Sequence, residues 1–270
     1  MDFNARDGVR IHFEDEGAGP PVLMLHGAAT SAKVYDGLTS RLVARFRCIR
    51  LDLRGLGRSQ RVEAVSPTAW CDDTLALMDH LEIGRAHLLG CSLGARIAGR
   101  LVLDNPDRFQ TLTVDAPLVA VAQAANTRLN TRFTNLDSPT ELDRVRWRNF
   151  HGEDWRDAVS FYFRARNDPS LQEHLTLRPH LTTITTPTLI TRGDVDDDVH
   201  PLAHAIEWHA ACPATSWLWV AAGTPFSAAQ NRAEDYSRIF ESFVDHWAAR
   251  TLASVAELSS THASASEARS

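Results

Sequence analysis

The chain has 270 residues, 44% of them hydrophobic and 23% charged, a length and balance that suit one α/β domain carrying an insertion. Its formal net charge of -6 argues against a nucleic-acid partner, because phosphate binding needs clustered Lys and Arg, and here the cations are scattered along the chain. No apolar run approaches the roughly 18 residues of a membrane span, and Met1-Asp2-Phe3-Asn4 shows no secretory signal, so a cytoplasmic location without membrane contact is the expectation.

Val9 to Glu14 alternates like an edge strand, and the turn Gly17 to Pro21 leads into Val22-Leu23-Met24-Leu25, a short buried strand ending at His26-Gly27. A helix is expected from about Ser31 to Ala44, then a strand from Arg47 to Leu53 and the polar loop Arg54-Gly55-Leu56-Gly57-Arg58-Ser59. Ser66-Pro67-Thr68 reads as the cap and first turn of the next helix. Ala86 to Gly90 is a buried strand running directly into Ser92 and a helix over Leu93 to Leu103, stopped by Asn105-Pro106, and Leu112-Thr113-Val114 is strand again. The strand pattern then ceases until Pro187-Thr188-Leu189-Ile190. Residues 117 to 186 therefore read as an inserted helical lid, with helix starts at Asp137-Ser138-Pro139 and Asn167-Asp168-Pro169. A strand from Trp217 to Val220 and a helix from about Arg232 to Ala249 close a core made of residues 1 to 116 and 187 to 250. Residues 251 to 270 read as an unstructured tail, Ser/Ala/Glu-rich from Ala256 on. Cys48, Cys71, Cys91 and Cys212 are too dispersed for a zinc site or a redox pair and are expected as buried thiols.

Strands alternating with helices predict an α/β fold, a mostly parallel sheet covered on both faces. Within it, Gly90-Cys91-Ser92-Leu93-Gly94 matches G-x-S-x-G at a strand-to-helix junction. There a tight turn presents a serine oxygen at the carboxyl edge of the sheet, and small flanking residues avoid clashes. Cys91 beside it falls in a packing register.

Together with Leu25-His26-Gly27-Ala28, Asp52-Leu53-Arg54-Gly55-Leu56-Gly57-Arg58-Ser59 and Gly193-Asp194-Val195-Asp196, this elbow resembles the α/β-hydrolase superfamily, particularly its esterase, lactonase and carbon-carbon-bond hydrolase branch. The likeness covers roughly residues 7 to 250. It implies Ser92 as nucleophile and the backbone N–H groups of Ala28 and Leu93 as an oxyanion hole. It also implies His26 as a structural residue and Asp196 as the triad acid, with Asp115 the alternative acid at the strand end before the lid.

In that family the general base is a histidine in the loop after the last strand, where this chain has Ala222-Gly223-Thr224-Pro225. Thr224 takes the place, and no histidine lies between His209 and His246. A serine hydroxyl is a poor nucleophile without a base, and threonine cannot serve near neutral pH. Three readings follow. Another histidine enters the site, from the lid (His151, His174, His180) or from the segment after the acid (His200, His204). Alternatively, the pocket performs a lyase-like elimination, dehydration or cyclisation with an aspartate as base. In the third, the protein is an inactive binder of a ligand or partner.

The expected function is an enzyme on a small, fairly apolar carbonyl compound such as an ester or lactone, since Trp147, Phe150, Trp155, Phe161, Tyr162 and Phe163 enrich the lid in apolar surface. Those aromatics can equally pack the lid onto the core. No cofactor or metal is expected: Gly55-Leu56-Gly57 lacks the third glycine of a dinucleotide fingerprint. The partner is a small molecule, with the chain a monomer or homodimer.

Overall fold

The computed structural model describes residues 1–120, 123–195 and 197–267. Its strands are β1 (Asp2–Asn4), β2 (Arg10–Glu16), β3 (Pro21–Leu25), β4 (Arg47–Leu51), β5 (Ala86–Cys91), β6 (Phe109–Asp115), β7 (Thr188–Gly193) and β8 (Ser216–Ala221). They form one sheet in the order β1-β2-β4-β3-β5-β6-β7-β8. The β1–β2 and β2–β4 pairs are antiparallel and all the others are parallel. This is the mostly parallel α/β sheet that the strand–helix alternation predicts, in the arrangement that the motif resemblance implies. The three-residue β1 is too short for periodicity to reveal.

The core helices are α1 (Asp36–Leu42), α2 (Ala69–His80) and α3 (Leu93–Asp104), and four more, α4 (Gln123–Thr134), α5 (Glu141–His151), α6 (Trp155–Arg166) and α7 (Pro169–His174), lie between β6 and β7. They are followed by α8 (Leu202–Ala211), α9 (Ala228–Asn231) and α10 (Ala233–Glu267). Alternate residues of one strand feed opposite layers. Val22 and Met24 of β3 pack with Leu38, Leu42, Phe240 and Phe243 from α1 and α10. Leu23 and Leu25 face the layer that holds Leu77, Ile97, Leu101 and Trp208 from α2, α3 and α8. Each such side chain, fully buried, contributes about 1.5–3 kcal/mol before entropy is counted.

Local chemistry corrects three boundaries. Helix α2 starts at Ala69, because Ser66-Pro67-Thr68 forms a turn closed by Ala69 N–H on the Ser66 carbonyl at 3.1 Å. Helix α5 is capped by Thr140, whose hydroxyl accepts the Asp143 N–H, so Asp137-Ser138-Pro139 only leads up to it. Asp168 does cap α7, ahead of Pro169. The terminal helix runs on to Glu267 where an unstructured tail was expected, in keeping with the helix propensity of its Ala and Glu residues.

The helices between β6 and β7 dock on the core at a glycine. Gly55 has φ +81°, and a Cβ there would lie 2.2 Å from the Phe161 ring, so only a bare backbone lets α6 approach. All four cysteines are buried and unbridged. Among the described residues no helix is long and apolar enough to cross a membrane.

Candidate active site

Strand β5 ends at Cys91 and α3 begins at Leu93, leaving Ser92 alone at the junction with φ 55° and ψ -110°. A non-glycine residue held in this region stores about 1–3 kcal/mol of strain and persists only where its surroundings enforce it. Here the Ser92 N–H donates to the Asp115 carbonyl at 3.0 Å, and the Ser92 carbonyl accepts from Ala95 and Arg96. Both glycines of the motif are sterically obligatory: a Cβ on Gly90 would lie 2.2 Å from the Gly94 oxygen, and one on Gly94 would lie 2.0 Å from the Leu25 oxygen. The turn therefore packs backbone against backbone at the end of β3.

That packing brings the 26–28 segment alongside the serine. A Cβ on Gly27 would stand 3.5 Å from the Ser92 Cβ. Ala28 and Leu93 both line the cavity that Ser92 faces, and neither amide has an acceptor among the described residues. Leu93 is the first residue of α3, so its N–H belongs to the unpaired, electropositive end of that helix. His26 is wholly buried beneath, its Nε2 accepting from the Leu53 N–H at 3.0 Å and its Nδ1 donating to the Gly27 carbonyl at 2.8 Å. Burial lowers its pKa. A neutral His26 thus clamps the loop and stays away from the serine.

The serine does have an imidazole neighbour. His200 Nε2 lies 2.8 Å from Ser92 Oγ. Of the five histidines proposed from sequence, it alone among the described residues reaches that oxygen. His151 instead accepts the Gly57 N–H, and burial takes its pKa down to about 4. Of the three readings left open by Thr224, this contact is the kind that the first describes, an imidazole brought in from the segment after β7. Thr224 is buried and bonds through Oγ1 to the Ala222 carbonyl, while the Ser92 hydroxyl bonds to His200. The position after β8 is filled by a structural residue, and the imidazole comes from the loop after β7.

Behind His200 stands Asp197, with Oδ1 at 3.5 Å from Nδ1. That is an ion-pair distance, longer than a hydrogen bond, as unliganded sites often show. The same carboxylate accepts the Val199 and His200 N–H groups at 2.7 and 2.9 Å. Its pairing with His200 holds it well below the usual carboxylate range. Asp196, the acid expected from the family pattern, lies outside the described residues. The alternative, Asp115, is wholly buried under the elbow and spent on other partners: the Thr191 and Ser227 hydroxyls at 2.8 and 2.5 Å and the Ala228 N–H at 3.0 Å. Burial raises its pKa.

Neighbouring residues fix the imidazole. The Phe226 ring stacks on His200 at 4.8 Å and 16°. Arg192, at the end of β7, donates through Nε to the His200 carbonyl at 2.7 Å and through Nη1 to the Val195 carbonyl at 3.0 Å. Sequence reasoning named His200 without being able to rank it. The usable signal is an acid and a histidine three residues apart, Asp197 and His200, in a loop leaving the same sheet edge that presents Ser92.

Above these groups lies a cavity of about 570 Å³. Of the six aromatics expected to make it apolar, only Tyr162 lines it. Trp147 and Trp155 stack on each other at 5.4 Å, and Phe161 covers Gly55 and Trp70. The packing reading holds for these three. What sequence reasoning did not anticipate is that Arg96, Arg132, Arg146, Arg166 and Arg178 line the same cavity.

Residues 20–127 match the family model described as alpha/beta hydrolase fold. The chain is 40% identical over 106 residues to pimeloyl-[acyl-carrier protein] methyl ester esterase of Nitrosomonas europaea, covering 39% of this chain and 40% of the relative. It is 34% identical over 168 residues to rhodomycin D methylesterase of Streptomyces peucetius, covering 50% of this chain and 56% of the relative. The matched stretches thus span about half or less of the length of these curated relatives. Among solved structures, a thermophilic esterase from Thermogutta terrifontis superimposes with a TM-score of 0.71 at 20% identity, over 92% of this chain and 98% of that one. The sheet order, the strained elbow and the family match over residues 20–127 agree on the α/β-hydrolase fold for this chain.

Proposed function

We propose that this protein is a serine hydrolase of ester-type bonds, with Ser92 as nucleophile, His200 as general base and acid, Asp197 orienting the imidazole, and the Ala28 and Leu93 amides binding the oxyanion. The reading is carried by one observation, the 2.8 Å approach of His200 Nε2 to Ser92 Oγ at a strained strand-to-helix turn. The names of the methyl ester esterase and methylesterase relatives support it for the bond class.

With Nδ1 turned to Asp197, the Nε2 lone pair is free to accept the serine proton. Ser92 Oγ attacks the ester carbonyl while Nε2 takes its proton, and the carbonyl oxygen gathers negative charge between the two amides. One such donor elsewhere contributes roughly 3–4 kcal/mol to the transition state. Collapse expels the alcohol, which leaves with the proton from Nε2. Water then repeats the sequence on the acyl-serine, giving up its proton to His200 and releasing the carboxylic acid. Each turnover consumes one ester and one water.

The test is covalent labelling and turnover with a neutral ester. A fluorophosphonate should label the wild-type protein at Ser92 and fail on Ser92→Ala. His200→Ala should lower turnover of p-nitrophenyl acetate by roughly 10³- to 10⁶-fold, the range seen when a triad base is removed. Undiminished labelling and turnover in His200→Ala would refute the assignment. Turnover of a carbonyl compound by a wild-type protein that the probe never labels would move the reading to non-hydrolytic chemistry.

A further inference from the structure

The cavity facing Ser92 is rich in cations although the protein as a whole carries a formal charge of -6. Two of the five lining arginines are already committed: Arg132 to Asp143 and Arg178 to Glu207. The other three, Arg96, Arg146 and Arg166, have no carboxylate within ion-pair distance among the described residues. The lining carboxylate, Asp197, is engaged with His200. Buried or half-buried arginines are normally paired, because a desolvated charge without a partner is costly.

Their surroundings sharpen the point. Arg96 sits one helical turn beyond Ser92, about 6 Å along α3, and straps that helix to α7 through the Leu175 carbonyl, the Gln172 carbonyl and the Gln172 side chain. Arg166 lies over the Phe133 ring at 5.6 Å and donates to the Asn126 side chain, but its Nε is buried with no acceptor among the described residues. Arg146 lies over the Phe150 ring at 5.7 Å. Burial pushes the pKa of Arg96 and of Arg146 down. A nearby guanidinium, Arg166 for the first and Arg132 for the second, pushes further in the same direction. Like charges therefore converge from α3, α5 and α6 on one chamber, a strain that a bound anion relieves.

We infer that the substrate is an ester that also carries a carboxylate, a half-ester of a dicarboxylic acid, whose charged end is taken by Arg146 and Arg166 while its ester carbonyl lies at Ser92. Arg96 adds positive potential at the wall between the two ends. The inference rests on the serine-hydrolase reading for which end reacts, and on the unpaired arginines alone for the charge of the other end.

The experiment measures kcat/KM of the full chain for the monoethyl and the diethyl ester of adipic acid, and binding of adipic acid monoamide by calorimetry. Circular dichroism melting checks the fold of each variant. The wild type should prefer the monoester by at least roughly 10-fold, mainly through KM, with the preference shrinking as salt rises. Arg166→Gln and Arg146→Gln should each cut that preference by roughly 10- to 100-fold, the worth of a charge-assisted hydrogen bond. Arg166→Lys should retain part of it, and the monoamide should bind the wild type and lose affinity in the same variants. A wild type that hydrolyses the diester as well as the monoester, or variants whose ratio stays put, overturns the inference while p-nitrophenyl acetate turnover leaves the serine-hydrolase reading standing. If nothing is hydrolysed, calorimetry still decides: monoamide binding that is absent or indifferent to both substitutions overturns it.

Discussion

At the scale of single residues, the site turns on which carboxylate serves His200. Asp197 accepts two backbone N–H groups from the residues that follow it and stands against Nδ1, so the local turn fixes acid and imidazole together. Held below the ordinary value of 3.8 by its partner, this carboxylate contributes to folding stability above that value. The contribution is lost only as pH falls through the lower folded value, so Asp197 stays charged throughout the range in which a histidine base works. Asp197→Asn should therefore lower kcat/KM by roughly 10²- to 10⁴-fold, as removing the orienting acid does in other triads, with far-ultraviolet dichroism unchanged. Asp196→Asn, run beside it, should cost less than about 10-fold; the reverse order would return the role to Asp196. Ser92 was legible because G-x-S-x-G is a local pattern with a local cause, the clash that any Cβ on Gly90 or Gly94 would meet. The role of His200 was not legible in the same way: its contact spans 108 positions and follows from where β7 delivers its loop, which no spacing in the chain encodes.

At the scale of elements, the proposed acid and imidazole both follow β7, where the family pattern puts the histidine after β8. The β8 loop is laced to the β7 loop by the Gly193 N–H on the Phe226 carbonyl at 3.2 Å and the Val195 N–H on the Thr224 carbonyl at 3.0 Å. A Cβ on Gly193 would meet the Thr224 and Pro225 oxygens at about 2 Å. The β8 loop, with Thr224 where the family pattern expects a histidine, thus buttresses the β7 loop, with Phe226 as its contact to the His200 imidazole. A histidine restored at Thr224 has no room, since that side chain is 1% exposed. Thr224→His should give no gain in esterase turnover and should lower unfolding stability by about 1–3 kcal/mol through overpacking, read from urea midpoints. A rise in turnover would mean that the β8 loop can bring an imidazole to Ser92 after all. The parallel strands and the helices behind them were legible because doubly buried strands read as unbroken apolar runs. The charge of the cavity was not, because Arg96, Arg146 and Arg166 are dispersed over 71 positions of chain and only the packing of α3, α5 and α6 brings them to one wall.

At the scale of the whole molecule, the two layers bury histidines as neutral residues, and this sets the response to acid. His87, bonded to the Thr111 hydroxyl under α10, and His151, bonded to the Gly57 N–H under the helical insertion, are both held down to about 4 by burial, against an ordinary 6.5. Between those values the unfolded chain binds protons that the folded chain refuses, so stability rises with pH there and falls as pH drops from 6.5 towards 4. Each group can contribute up to about 1.4 kcal/mol per pH unit. Urea denaturation across that window should give a slope of the unfolding free energy that His87→Asn lowers by up to about 1.4 kcal/mol per pH unit. An unaltered slope would assign the acid sensitivity elsewhere. The pairing of Asp197 with His200 on one seven-residue segment after β7 has a mechanical corollary. When acid and imidazole ride on neighbouring strands, any shear between those strands misaligns them. Here Asp197 and His200 stand three residues apart on one loop, tied by the Val199 and His200 N–H groups on the Asp197 carboxylate, so a shear between β7 and β8 does not pull one from the other.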